Sequence, residues 1–183
     1  MTETIAQRFD RLADAFAHKI DAVPEDTWGA QSPCEEWTAL DVVRHVSGTP
    51  GMFYGFIGKE QPEIPPVEDG PGTAFATMRA DMQRLLDDPE VAGTEFDGFF
   101  GRSTFENAVD RFLNFDLLVH GWDLARATGL DERMEPADVE RLTEAAKQFG
   151  DSARAPGVFG PEVQAPAGAD AQAKVLAFIG RRA

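Results

Sequence analysis

The segment from Ser103 to Thr128 carries ionisable side chains inside an apolar helical stripe, and this limits the fold more tightly than any other feature. It contains no proline, opens on Ser103 and Glu106 at capping-box spacing, and is followed by Gly129, a natural C-terminal stop. It therefore reads as one long helix. At roughly 100° per residue, Phe105, Val109 and Phe112 lie within about 60° of one another and define the buried face. Asp116, His120 and Asp123 fall on that same face. A buried carboxylate without a partner loses solvation on the order of several kcal/mol, so the fold must supply compensation. The i,i+4 spacing stacks Asp116 and His120, which lets them grip one metal ion. A carboxylate accepting a hydrogen bond from imidazole, with no metal, meets the same constraint. Asp123 reads either as an acceptor that orients His120 or Trp122, or as the ion-pair partner of Arg126.

The remaining chain supplies the walls. Ile5, Phe9, Leu12, Phe16 and Ile20 form a stripe over a first helix from Glu3 to about Ala22. Thr38 and Asp41 have capping-box spacing and start a second helix that carries His45, interrupted or restarted at Pro50-Gly51. The proline-rich stretch from Glu60 to Gly72 reads as a loop, and Phe75, Met78, Met82 and Leu85 as a further stripe. Gly93 to Gly101 reads as another loop, Pro136 to Phe149 as a helix, and Pro156 to Val163 as extended or irregular. Asp170 caps a last short helix with Val175, Leu176 and Phe178 on its packing side.

One helix supplies only part of a metal's coordination sphere, and the chain has two other histidines. His18 lies opposite the stripe of its helix and faces solvent. His45 sits at the edge of the stripe of Leu40, Val43 and Val46, where a side chain can look into a cleft between helices. Cys34 reads as a thiol near this site or as a small packing residue.

Composition removes several classes of function. A net charge of -15, from 32 acidic against 17 basic residues, leaves no cationic surface for a nucleic-acid backbone. The single cysteine forms no internal disulfide, the opening residues lack the apolar run of a signal peptide, and no segment approaches a membrane span. The expectation is a single domain over residues 1–183, cytoplasmic, with no membrane or nucleic-acid partner.

Three blocks, PCEEWTALDVVRHV, DLLVHGWDLARATG and PGVFGPEV, succeed one another along the chain. Together they resemble the mycothiol-dependent maleylpyruvate isomerase-like proteins of the DinB-like superfamily, over nearly the whole length. The resemblance implies an all-α fold: a DinB-like four-helix bundle of up-down-down-up type with a long crossover, extra short helices and a short irregular C-terminal segment. It implies a divalent metal, usually zinc, with nickel, iron and manganese as alternatives, held by His45 on the second bundle helix and by Asp116 and His120 on the third. The characterised isomerase has a glutamate where this chain has Asp116. It also carries a separate C-terminal domain at its active site, where this chain has a short tail, so the isomerase reaction itself is not carried over.

Three protein ligands leave a metal position open. The implied function is activation of a low-molecular-weight thiol, such as mycothiol, for transfer to or isomerisation of a small electrophile. Cys34 and Trp37 would line the mouth of the cleft and the Glu60 to Pro71 loop would cover it. The alternative is a non-catalytic module in which the metal staples two helices and the protein acts through a protein partner. A homodimer through an uncovered apolar face is one outcome for the oligomeric state.

Overall fold

Thr4 and Thr38 sit in extended backbone and each accepts a hydrogen bond from the amide three residues on, while Gln7 and Asp41 reach back to the cap amides. These two boxes start α1 (Ile5–Ala22) and α2 (Ala39–Gly48). The computed structural model describes residues 3–98, 101–150 and 158–182. A short α3 (Gly51–Phe56) comes next, then α4 (Pro71–Leu86), whose first position is the proline that tolerates a missing amide hydrogen. The helix thus begins inside the last residues of the expected proline-rich loop.

Helices α1 and α2 each pack on both α4 and α7 (Asn114–Thr128), closing a ring of four. The apolar stripe of α1, with Phe9, Leu12, Phe16 and Ile20, meets Val42, Val43 and Val46 of α2 and Phe75, Met78 and Met82 of α4 in one core. Each fully buried side chain of this size contributes about 1.5–3 kcal/mol. A second core forms where Phe115, Val119 and Trp122 of α7 meet Val139, Leu142 and Ala146 of α8 (Pro136–Gln148) and Val175 and Leu176 of α9 (Ala171–Phe178). Helix α7 belongs to both cores, so nearly its whole circumference is covered, and its polar residues need partners from the protein.

The expected all-α fold is corrected by a small antiparallel hairpin, β1 (Glu95–Gly98) and β2 (Gly101–Thr104), in a chain that is otherwise mostly helical. Its glycines made the segment read as a loop. The structure instead stacks the Phe96 ring on Phe56, centroids 4.0 Å apart, and pairs Arg102 with Glu95 across the strands.

The hairpin also moves the start of the next helix. Ser103 is paired with Phe96 in the sheet, and Thr104 caps α6 (Phe105–Ala108), with its hydroxyl accepting from the Asn107 amide. The expected Ser103–Glu106 box does not form. Nor is the helix to Thr128 uniform, because a π-helical turn over Val109–Leu113 joins α6 to α7. The extra residue rotates all of α7 by about 100° relative to a uniform helix. Phe105 and Val109 are buried as expected, but Leu113 takes the fully buried place and Phe112 is half-buried. Gly129, at φ +74°, ends α7 in the left-handed conformation that glycine favours.

A short α5 (Pro89–Ala92) precedes the hairpin. Asp170 caps α9. Of the segment expected to be irregular, Pro156 and Gly157 lie outside the described residues, and residues 158–163 form no helix or strand. Among the described residues no helix is long and apolar enough to cross a membrane.

Candidate metal centre

His45, in the last turn of α2, and Asp116, in the first turn of α7, meet between neighbouring helices of the ring, α7 being its fourth helix in chain order and not the expected third, with His45 Nε2 3.3 Å from Asp116 Oδ2. One turn along α7, His120 Nε2 lies 4.0 Å from Asp116 Oδ1. Ligand atoms of the three all lie within 4.8 Å of one another. Tetrahedral coordination with bonds of about 2.0–2.1 Å puts donors about 3.4 Å apart, a spacing that the His45–Asp116 pair matches and the His120–Asp116 pair exceeds. The site is open to solution, since the His45 and Asp116 side chains are 36% and 23% exposed. His18 is exposed on the outer face of α1 and takes no part.

Asp123 explains how His120 is oriented. Its fully buried carboxylate accepts from His120 Nδ1 at 2.9 Å. A carboxylate that holds the Nδ1 hydrogen leaves the Nε2 lone pair of a neutral ring directed at Asp116 and His45, the arrangement that metal-ligating histidines commonly need. Neither alternative partner is used. Arg126 pairs with Glu132 and lies over the Trp122 ring, and Trp122 Nε1 has no hydrogen-bond partner among the described residues.

Cys34 and Trp37 arrive from the loop before α2. The Trp37 ring lies against both imidazoles, centroids 4.8 Å from His45 and 5.7 Å from His120. The Cys34 thiol donates to Asp123 Oδ2 at 3.3 Å. A second trio, Cys34, His120 and Asp123, therefore meets on the Nδ1 side of the same histidine. The expected cover, the Glu60 to Pro71 loop, is held by Val67, buried in the first core, and by a Glu68–Arg44 ion pair to α2.

Sequence reasoning missed Arg181. Its Nη2 donates to Asp123 Oδ2 at 2.9 Å and to Cys34 Sγ at 3.1 Å, and its Nε reaches Asp123 Oδ1 at 3.3 Å. A fully buried carboxylate demanded a cation, but no spacing rule joins residues 58 positions apart. Thr49, whose hydroxyl sits 3.3 Å from His45 Nε2, was missed as well.

The electrostatics follow from this packing. Burial pushes the Asp123 carboxyl up, yet the His120 hydrogen bond and the Arg181 charge outweigh it and hold the group below the usual carboxylate range. Burial, reinforced by the Asp123 charge, pushes the Cys34 thiol up to about 12. A groove of about 890 Å³ lies elsewhere, between α8 and the segment from β2 through the π-helical turn into α7, and includes none of His45, Asp116 or His120. Among the described residues, the groove's lining contributes to neither of the two trios that could hold a metal ion.

The family model for the mycothiol maleylpyruvate isomerase N-terminal domain matches residues 9–125, which take in Cys34, His45, Asp116, His120 and Asp123 but stop short of Arg181. Two uncharacterised proteins, from two strains of Mycobacterium tuberculosis, are each 32% identical over 181 residues, covering 93% of this chain and 94% of the relative. No solved structure matches the chain significantly. By the family match and by these relatives, the chain belongs to the mycothiol maleylpyruvate isomerase N-terminal domain family.

Proposed function

We propose that His45, Asp116 and His120 hold one divalent ion, zinc foremost, in a DinB-like bundle of up-down-down-up type. The centre activates a low-molecular-weight thiol of the mycothiol type for transfer to, or isomerisation of, a small electrophile. The observation that carries this reading is the convergence of three donors from two helices, with His120 already oriented by Asp123. Membership of a mycothiol-related family supports the class of thiol.

A bound divalent ion lowers the pKa of a thiol or water that it coordinates, which makes a nucleophile at neutral pH. The chain's own residues do the rest. Asp123 accepts from Nδ1–H and so keeps that hydrogen on Nδ1, leaving the Nε2 lone pair for the metal. Trp37 walls one side of both imidazoles. Cys34 does not supply the nucleophile: with its thiol pushed up to about 12, it is protonated at neutral pH. The reacting thiol therefore comes from solution, through the exposed edge formed by His45 and Asp116.

Elemental analysis of protein purified without an affinity tag tests the ion first. One equivalent is expected in the wild type, and less than a tenth of that, roughly, in Asp116→Ala and His120→Ala. Stoichiometric metal retained in both variants overturns the site. Titrating mycothiol into the metal-loaded protein then tests the chemistry, and a bound metal that never contacts the thiol overturns the thiol reading in favour of a metal-stapled module.

A further inference from the structure

We propose that Arg181 is a positioning residue that acts through Asp123 to set the ring orientation and tautomer of His120. This role deepens the proposed function and rests on it for the part played by His120 as a ligand.

A chain of directional contacts connects the two residues. The guanidinium holds both oxygens of Asp123, with Nε on Oδ1 at 3.3 Å and Nη2 on Oδ2 at 2.9 Å. A planar fork on two oxygens fixes the rotation of the carboxylate, which a point charge does not. The same Oδ2 accepts from His120 Nδ1 at 2.9 Å, so fixing the carboxylate fixes the imidazole. Arg181 Nη2 also takes the sulfur of Cys34 at 3.1 Å, which keeps the thiol seated beside the carboxylate.

Arg181 is itself held in place. Its side chain is 12% exposed, its amide donates to the Leu176 carbonyl at 2.8 Å, and Nη1 donates to the Ile179 carbonyl at 3.3 Å. The turn that aims it needs Gly180, at φ +91°, where a Cβ would lie 2.9 Å from the Gly160 backbone. Segment 160–163 thus locks onto the end of α9, and the chain leaves that turn pointing at α7. Arg181 lies outside the region matched by the family model, so the positioning group comes from a part of the chain that the family's own motif does not include.

The test uses the full chain. Long-range proton–nitrogen correlation of metal-free, isotope-labelled protein reads the His120 tautomer directly. The wild type is expected to hold the proton on Nδ1, and Arg181→Met to show a mixture of both tautomers. Metal affinity should fall about 10–100-fold in the methionine variant. It should fall similarly in Asp123→Ala, and the double variant should lose little more than either alone, because both changes break one path. Arg181→Lys keeps a cation beside the buried carboxylate and serves if methionine does not fold. It should show weaker tautomer mixing and an intermediate loss of affinity.

An unchanged His120 tautomer in a folded Arg181 variant overturns the proposal, and so do fully additive losses in the double variant. If the tautomer shifts but even the wild type takes up no ion, Arg181 keeps its positioning role and the metal reading alone fails.

Discussion

Cys34 offers a quantitative check on the electrostatics of the site, because its reactivity toward an aromatic disulfide reagent is set by the structure. A free cysteine with a pKa of about 8.5 is about one quarter thiolate at pH 8. Cys34, pushed up to about 12 by burial and then by the Asp123 charge, is thiolate in about one molecule in 10,000 at that pH. The thiolate population is therefore lower by about 2,000-fold. The more basic thiolate is also the better nucleophile, and a Brønsted coefficient of about 0.4–0.5 over this pKa difference recovers about 25–60-fold. The expected net result is a rate roughly 40–100-fold below that of the same cysteine in denaturant, with partial burial slowing it further. The assay tracks reagent absorbance in stopped flow, with and without denaturant, from pH 7 to the highest pH at which circular dichroism shows the fold intact. The logarithm of the rate should climb with pH without levelling off near pH 8.5. A plateau there, or a folded rate equal to the denatured one, would refute the argument that Asp123 and burial outweigh Arg181 at this sulfur.

Cobalt-loaded protein without added thiol should show no intense near-ultraviolet thiolate band, because Cys34 sits on the Nδ1 side of His120 and is held by Asp123 and Arg181. Such a band, lost in Cys34→Ser, would mean that the second trio binds the ion instead. Leu142→Ala should cost about 2–5 kcal/mol by denaturant titration, since Leu142 is fully buried where α8 meets α7 and α9. A cost under about 1 kcal/mol would contradict a tightly packed second core. Glu3 is held below its ordinary value chiefly by its hydrogen bond from Arg11, against partial burial, with Arg8 adding to the effect. Its contribution is therefore complete above about pH 4.5 and is lost as pH falls through the depressed native value, so Glu3→Gln should flatten the loss of stability between about pH 5 and about pH 3. An unchanged slope in that variant would show that the Glu3 cluster makes no net contribution.

What could be read from the chain itself was whatever depends on near neighbours. The stripes of α1 and α4, the capping box at Thr38, the Asp170 cap and the Gly129 stop are short-range features, each fixed within a turn or two of helix. The presence of Asp116, His120 and Asp123 among the apolar residues of α7 was visible for the same reason, and the structure buries His120 and Asp123 there. Tertiary structure decided the rest. His45 meets Asp116 from 71 residues away, Asp123 meets Cys34 from 89, and Arg181 meets Cys34 from 147, and no periodicity encodes such pairings. The hairpin depended on Phe56 receiving Phe96, and the π-helical turn shifted the burial of Phe112 and Leu113 in a way that a uniform helical repeat does not anticipate. Local sequence placed the Asp123 carboxylate where water could not reach it. Only the packed structure could determine which distant groups would replace the water, because that choice depends on the geometry of the closed ring and of the turn at Gly180.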